Sequence, residues 1–344
     1  MQKRVVFTAL FTILAFGVRV QSLSAHSGDQ AGASIAAEAF RLKGVLASLK
    51  LPAAEQETFT TQFNRIERAV QAGHVFLSLY LLQQPASLLP AYEYQKTKTE
   101  VEKSGLEAFE QEWRRLGSEL NGKERRLTAA PAHRLPLAVK AIIERSLTQV
   151  QPHYQSGRLY GQQTTVDSGL FYLGLAKAQL EFALFCRSLD VAAAGAAAPL
   201  RSLAPELEAL EREVLEAYRR LGATDKQSTF IRINASLKVA QDLEKEQRFS
   251  GALLQYLEVC RALDAVGSAP AESSAPDALN PQSESFRAQL SGSRMDHSIG
   301  WLYWQMAQAA MEPGGGGVND QRGAAVILHR VLPRYFKYMA RVKR

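Results

Sequence analysis

The chain has 344 residues, 46% of them hydrophobic and 22% charged, with a formal net charge of +7. This is the composition of a folded chain with enough residues for one large or two ordinary domains, and it excludes a disordered polyelectrolyte. The positive charge is terminal: Lys3, Arg4 and Arg19 lie near the start, and Arg330, Arg334, Lys337, Arg341, Lys343 and Arg344 near the end. The body between is slightly acidic, which argues against a nucleic-acid partner. The two cysteines, Cys186 and Cys260, cannot form a disulfide framework. They read as small apolar fillers, and whether they pair stays open, because spacing alone does not give their separation.

Residues 1–25 carry Lys3 and Arg4, then an uncharged apolar run from Val5 to Val18, then Ser22-Leu23-Ser24-Ala25. That order predicts a secretory signal peptide cut after Ser24 or Ala25. Arg19 closes the run short of the roughly 20 apolar residues that a membrane span needs. The expected location of the mature chain is therefore periplasmic or extracellular.

From residue 31 onward the apolar residues recur at helical spacing, and no period-2 run suggests a strand. A helix is predicted over 31–49, broken at Leu51-Pro52, and a second over 53–72, ended by Gly73. A very apolar third helix runs from Val75 to Gln84, where Pro85 and Pro90 predict a break. A long charged helix follows from Tyr94 to Leu120, stopped by Asn121-Gly122, and another from Leu137 to Gln151. Residues 152–168 show no period and are expected to form a loop. Asp167 or Ser168 then caps an apolar helix over 169–189. The alanine-rich 192–199 stretch reads as a surface connection, and Ser202 as the cap of a helix over 203–221. Residues 266–288, rich in Gly, Ala, Ser and Pro, read as a flexible linker. It divides a helical domain (26–265) from a C-terminal hairpin (289–344) that packs on it, the two halves of the hairpin separated by the glycine run at 314–317.

The best-patterned segment is Ala235 to Leu263. Leu237, Ala240 and Leu243 line one helix face, Glu246-Gln247-Arg248 form a turn, and Phe249, Ala252, Tyr256 and Cys260 line the next helix. This hairpin resembles a tetratricopeptide repeat, in which small residues such as Ala240 and Ala252 let two antiparallel helices pack closely. Ser236, Val259 and Asp264 depart from that family, which there carries a bulky aromatic, alanine and proline. The resemblance implies an all-α fold of stacked antiparallel hairpins in a right-handed superhelix. The alternative is an irregular all-α bundle. Phe63–Leu82 and Trp301–Leu332 are the other candidate hairpins.

Motifs that carry chemistry are missing. There is no His-Glu-x-x-His, phosphate loop, nucleophile elbow or Cys-x-x-Cys, and the six histidines form no i, i+4 pair. No catalytic residue, metal ligand or cofactor is assigned. Asp296-His297 are adjacent, and neighbours on a helix point apart. His74, at a helix junction, reads as an interior or capping residue.

Two candidate binding regions remain. The 152–168 stretch gathers His153, Tyr154, Arg158, Tyr160, Gln162, Gln163 and Asp167, residue types suited to peptide or sugar recognition. The tail places Arg334, Lys337, Arg341 and Arg344 on one basic stripe able to touch an anionic membrane or an acidic partner. The expected function is an exported, non-catalytic module that binds a protein or peptide. The alternative is an all-α enzyme of envelope polymers, for which Glu181 and Asp167 are the carboxylates to inspect.

Overall fold

The computed structural model describes residues 30–129, 135–193, 195–220, 227–267, 276–312 and 318–342. The expected signal segment, Arg344 and residues 268–275 of the expected linker lie outside the described residues. The class is all-α, and the described residues contain no strand beyond an isolated parallel bridge between Ala196 and Met295.

Fourteen helical segments follow in order: α1 (30–48), α2 (Ala53–Gln71), α3 (Val75–Thr97), α4 (Thr99–Ser104), α5 (Leu106–Ala129), α6 (Leu137–Gln163), α7 (Val166–Ser188), α8 (Ala204–Arg220), α9 (Gln227–Lys245), α10 (Phe249–Gly267), α11 (Pro276–Ser291), α12 (Ser298–Met311), α13 (Val318–Val326) and α14 (Leu332–Val342), the last two joined by a π turn at Ile327–Val331. Neighbours pack in a continuous series: α2 on α3, α3 on α7, α7 on α6, α6 on α10, α10 on α9 and α9 on α8. The C-terminal helices close against this series through α12 on α3 and the π turn on α10. One apolar core runs throughout, from Ile35 on α1 to Val342 on α14.

The predicted hairpin at 235–263 is present as α9 and α10, with Ala240 and Ala252 fully buried at their contact. The α2/α3 hairpin turns at Gly73, whose φ of +70° is the left-handed conformation that ends helices. Phe40 of α1 is 79% exposed, an apolar side chain outside the core. Cys186 and Cys260 are buried free thiols. α7 is long and apolar enough to cross a membrane by length and composition, yet 67% of its most apolar window is buried in the fold, as a core helix requires.

Several predicted breaks are not breaks. α3 continues through Pro85 and Pro90 to Thr97. Pro85 has no N–H for the carbonyl four residues back, that of Leu81; Gln62 Nε2 from α2 donates to that oxygen instead, at 2.9 Å. The charged stretch is divided not at Asn121-Gly122 but at Gly105, whose φ is +82°. Below it, buried Glu112 ties α5 to α3, accepting from Tyr94 Oη at 2.5 Å and pairing with Lys98 at 2.8 Å. The expected 266–288 linker is helical from Pro276, with Leu279 and Phe286 buried in the core.

The largest correction falls on 152–168. α6 runs unbroken to Gln163, and only Thr164 and Thr165 separate it from α7. The face that α6 turns to α7 here is built from Gly157 and Gly161 rather than from large apolar groups, so it leaves no hydrophobic period to read. The approach is tight. A Cβ on Gly169 would lie 2.6 Å from Gly161 Cα and 2.8 Å from the Gly157 carbonyl. The cap of α7 is Thr165, whose Oγ1 accepts from Ser168 N at 3.1 Å, not Asp167 or Ser168.

A buried polar junction fastens the C-terminal helices to α6. Asp296 Oδ2 accepts from Leu137 N at 2.7 Å and its Oδ1 from Ser298 N at 2.8 Å. Ser298 Oγ accepts from Ala138 N at 2.8 Å. His297 lies 2.8 Å from both Tyr335 Oη and Ser293 Oγ. One carboxylate thus caps two helices, satisfying N–H groups that helix starts leave without partners.

Candidate functional site

The residues expected in the 152–168 loop separate onto two faces of α6. Tyr154, Arg158 and Gln162, one helical turn apart, face α5. Tyr154 stacks on Trp113 at 5.0 Å and donates to the Trp113 carbonyl at 2.9 Å. The Arg158 guanidinium lies 4.4 Å from the Trp113 ring centre and 3.6 Å from Glu110, which also accepts from Gln162. This stripe holds two helices together. His153 and Tyr160 turn instead toward α7, where Tyr160 stacks on Tyr172 at 4.6 Å and His153 lies 6.3 Å from it. Burial lowers the His153 pKa below its ordinary value. Gln163 is exposed, and Asp167 sits in the first turn of α7, where a negative charge complements the helix dipole.

The basic tail stripe is not free. Arg334 pairs with Glu213 at 2.8 Å and reaches Cys260 Sγ at 3.3 Å. Arg341 pairs with Glu206. Both acids belong to α8, so these cations dock α14. Only Lys337 of the described stripe stands exposed without an ion pair to another helix.

A large concave feature lies elsewhere. A cavity of about 1500 Å³ opens between α2, α8, α10, α12, α13 and the π turn, and His74, Leu77, Tyr80 and Leu81 of α3 line it. Ala69, Ala262, Ala309 and Ala310 keep its walls smooth, and arginines from five segments frame it. His74, at the N-cap of α3, makes no side-chain capping bond; its ring meets Trp304 edge-on at 6.4 Å. The π turn contributes Ile327, His329 and Arg330 to the wall. Such turns recur where a helix must re-aim side chains at a site. Its bond runs from Leu332 N–H to the Ile327 carbonyl, and the following Pro333 cannot donate to residue 329.

A second basin, about 1020 Å³, shares Arg65, Tyr80 and Leu81 with the first. Its lining is amide-rich: Gln62, Gln83, Gln84, Gln149, Gln179 and Gln255, with Thr58, Thr61, Ser87 and Ser236 beside them. His153 is the one residue of the expected loop that reaches it.

Under the shared floor lies a polar network. Arg261 pairs with Glu258 at 2.9 Å, and Tyr303 Oη donates to Glu258 at 2.9 Å. The Arg145 guanidinium lies 5.3 Å from the Tyr80 ring centre and donates to Gln83 Oε1, while Gln83 Nε2 donates to Ser146 Oγ at 3.1 Å. Burial raises the Glu258 pKa, but Arg261 and Arg145 outweigh it and hold the carboxyl below its ordinary 4.5. Burial and the Glu258 charge push Tyr80 up to about 12. Arg261 Nε and Gln179 Oε1, on residues that line the basins, are buried without a hydrogen-bond partner.

Glu181 points outward to Lys123 at 2.9 Å. Asp167 lies 14 residues earlier on the same helix, roughly 21 Å away at 1.5 Å per residue, so the two carboxylates do not face each other. No cluster of three metal-ligating side chains occurs among the described residues. Sequence reading missed Tyr80, Arg145, Gln179, Glu258 and Arg261, because four helices far apart in the chain bring them together. The one local signal was Gln83-Gln84, two amides inside an otherwise apolar helix. Comparison with known proteins gives no match, whether to a protein-family model, to a curated protein or to a solved structure.

Proposed function

We propose that this protein is an exported, non-catalytic interaction module of the cell envelope that holds a peptide segment of a partner protein in the two-basin groove. The observation that carries the reading is the groove itself: two adjoining basins that share Arg65, Tyr80 and Leu81 and are lined by arginines and by six glutamines. Its volume exceeds the few hundred to 1,000 Å³ typical of small-molecule pockets, and its glutamine amides offer paired donors and acceptors like those of a peptide backbone. The hairpins α2/α3, α6/α7 and α9/α10 support a tetratricopeptide-like stack whose inner surface is this groove. The apolar run at 5–18 supports export.

The test is panning a random twelve-residue displayed peptide library on the purified chain, alongside Gln84→Trp and Ser236→Trp, which fill the second basin from its rim. Enriched peptides that bind the native chain and lose at least tenfold in affinity for both variants, with helical circular dichroism unchanged, support the reading. A chain that enriches no peptide but shortens envelope glycan is an enzyme, and the proposal fails.

A further inference from the structure

We infer that the groove reads its peptide by an ordered pattern, with acidic residues at one end and an aromatic or proline-containing end at the other; this rests on the peptide-binding reading above. Three chemistries succeed one another along it. The first basin is framed by Arg65, Arg68, Arg220, Arg261, Arg322 and Arg330 against four carboxylates, Glu213, Glu216, Asp264 and Glu312. Its lining is therefore net cationic, and guanidinium forks match carboxylates in two-pronged geometry. The second basin is lined by amides and hydroxyls and is neutral apart from Glu57, Arg65, Arg145 and His153.

Beyond the second basin lies a strip of rings. His153 lines that basin and also lies 6.3 Å from Tyr172. Tyr172 stacks on Tyr160 at 4.6 Å and meets Phe171 at 5.8 Å, and Phe171 meets Tyr92 at 4.9 Å. Tyr160 is 39% exposed, so the strip is open to a ligand. Leu175 and Gln179, which line the second basin, follow Phe171 at one and two helical turns on α7, which makes strip and basin one surface. Gln179 adds an independent pointer: its side chain is 8% exposed, and Oε1 has no partner. A buried acceptor without a partner is costly, and rotation of the amide would present it to a donor on a ligand in the basin that Gln179 lines.

Length fits as well. From His74, in the cationic basin, to Tyr92, on the strip, α3 advances about 27 Å at 1.5 Å per residue. An extended chain covers that distance with about eight residues. An acidic patch on a small molecule would leave most of the groove empty, whereas an octapeptide spans all three zones.

The probe is a fluorescein-labelled octapeptide, Asp-Glu-Asp-Ser-Gly-Thr-Pro-Trp, measured by anisotropy on the full chain, with a version in which serine replaces the three acids. The charge variant is Arg322→Glu with Arg330→Glu, both on the outer wall. The ring variant is Tyr172→Ala. The charge variant should weaken the acidic peptide at least tenfold and leave the serine version within twofold. The ring variant should weaken both by about fivefold. A benzophenone at the acidic end should crosslink to residues 306–312 or 321–330, and one at the tryptophan end to residues 160–175. Equal affinity for both peptides, insensitivity to the charge variant, or exchanged crosslinks would overturn the inference while leaving a peptide groove intact. Tighter binding of an acidic oligosaccharide such as oligogalacturonate, displacing the peptide, would overturn it and the peptide reading together.

Discussion

Two buried polar clusters in this molecule invite comparison. At the junction of α6, α12 and α14, Asp296, Ser298 and His297 have partners for every polar contact they present, four of them at 2.8 Å and one at 2.7 Å. Beneath the groove, Glu258, Arg261, Arg145, Tyr80 and Gln83 are just as densely connected, but Arg261 Nε, and Gln179 Oε1 in the adjoining wall, have no hydrogen-bond partner. A closed network stabilises a single arrangement. An incomplete one carries the desolvation cost of its unpaired groups. The difference separates a junction that builds the fold from a wall that, on the proposed reading, meets a partner.

Substitutions can break that contrast, and the largest effect belongs to the closed cluster. Asp296→Ala strands the N–H groups of Leu137 and Ser298, and urea unfolding should show a loss of about 4 kcal/mol; peptide affinity of the remaining folded protein should not change. Glu258→Gln leaves Arg261 with a weaker partner and should cost about 2 kcal/mol. It also carries a pH signature. Because the Glu258 carboxyl is held below 4.5 in the folded chain, its contribution is fully present above that pH. It is lost as pH falls through the folded value. The acid limb of stability against pH should therefore be shallower in Glu258→Gln than in the native chain, and an unchanged limb would mean that this carboxylate is not the linked group. Gln179→Leu removes an unsatisfied buried acceptor, so the midpoint of thermal unfolding should rise, by about 1 kcal/mol of added stability, while peptide affinity falls. A stability loss there would place Gln179 among the structural groups instead. Arg341→Ala breaks a half-exposed pair with Glu206 and should shift stability by about 0.5 kcal/mol or less.

The helical class was legible in the sequence because apolar residues recur at helical spacing through almost every segment, and the α9/α10 hairpin because Ala240 and Ala252 sit where close packing demands small residues. Breaks were misplaced for a nameable reason. Proline reads locally as a stop, but the cost at Pro85 is met by Gln62, 19 residues away from the carbonyl it serves. Gly157 and Gly161 erased the apolar period of α6 because the contact they make needs the absence of a side chain. Of the candidate site, His153 reached the groove and Tyr160 the ring strip, while Tyr154, Arg158 and Gln162 serve the α5 contact. Arg334 and Arg341 read as a free basic stripe because their acids, Glu213 and Glu206, lie more than a hundred residues earlier in the chain.

The π turn at Ile327–Val331 sets two helical phases within one continuous rod. Upstream of it, Arg322 and Val326 are in phase with the cavity; downstream, Tyr335, Tyr338, Met339 and Val342 are in phase with the core. Removing a single residue from the turn would restore ordinary helix and rotate one end relative to the other by about 100°, so either the wall or the anchor would lose its seat. Length variation at this one point is thus a lever on the groove that leaves helix content untouched, and a chain shortened there should keep its helical spectrum while losing either its cavity wall or its C-terminal docking.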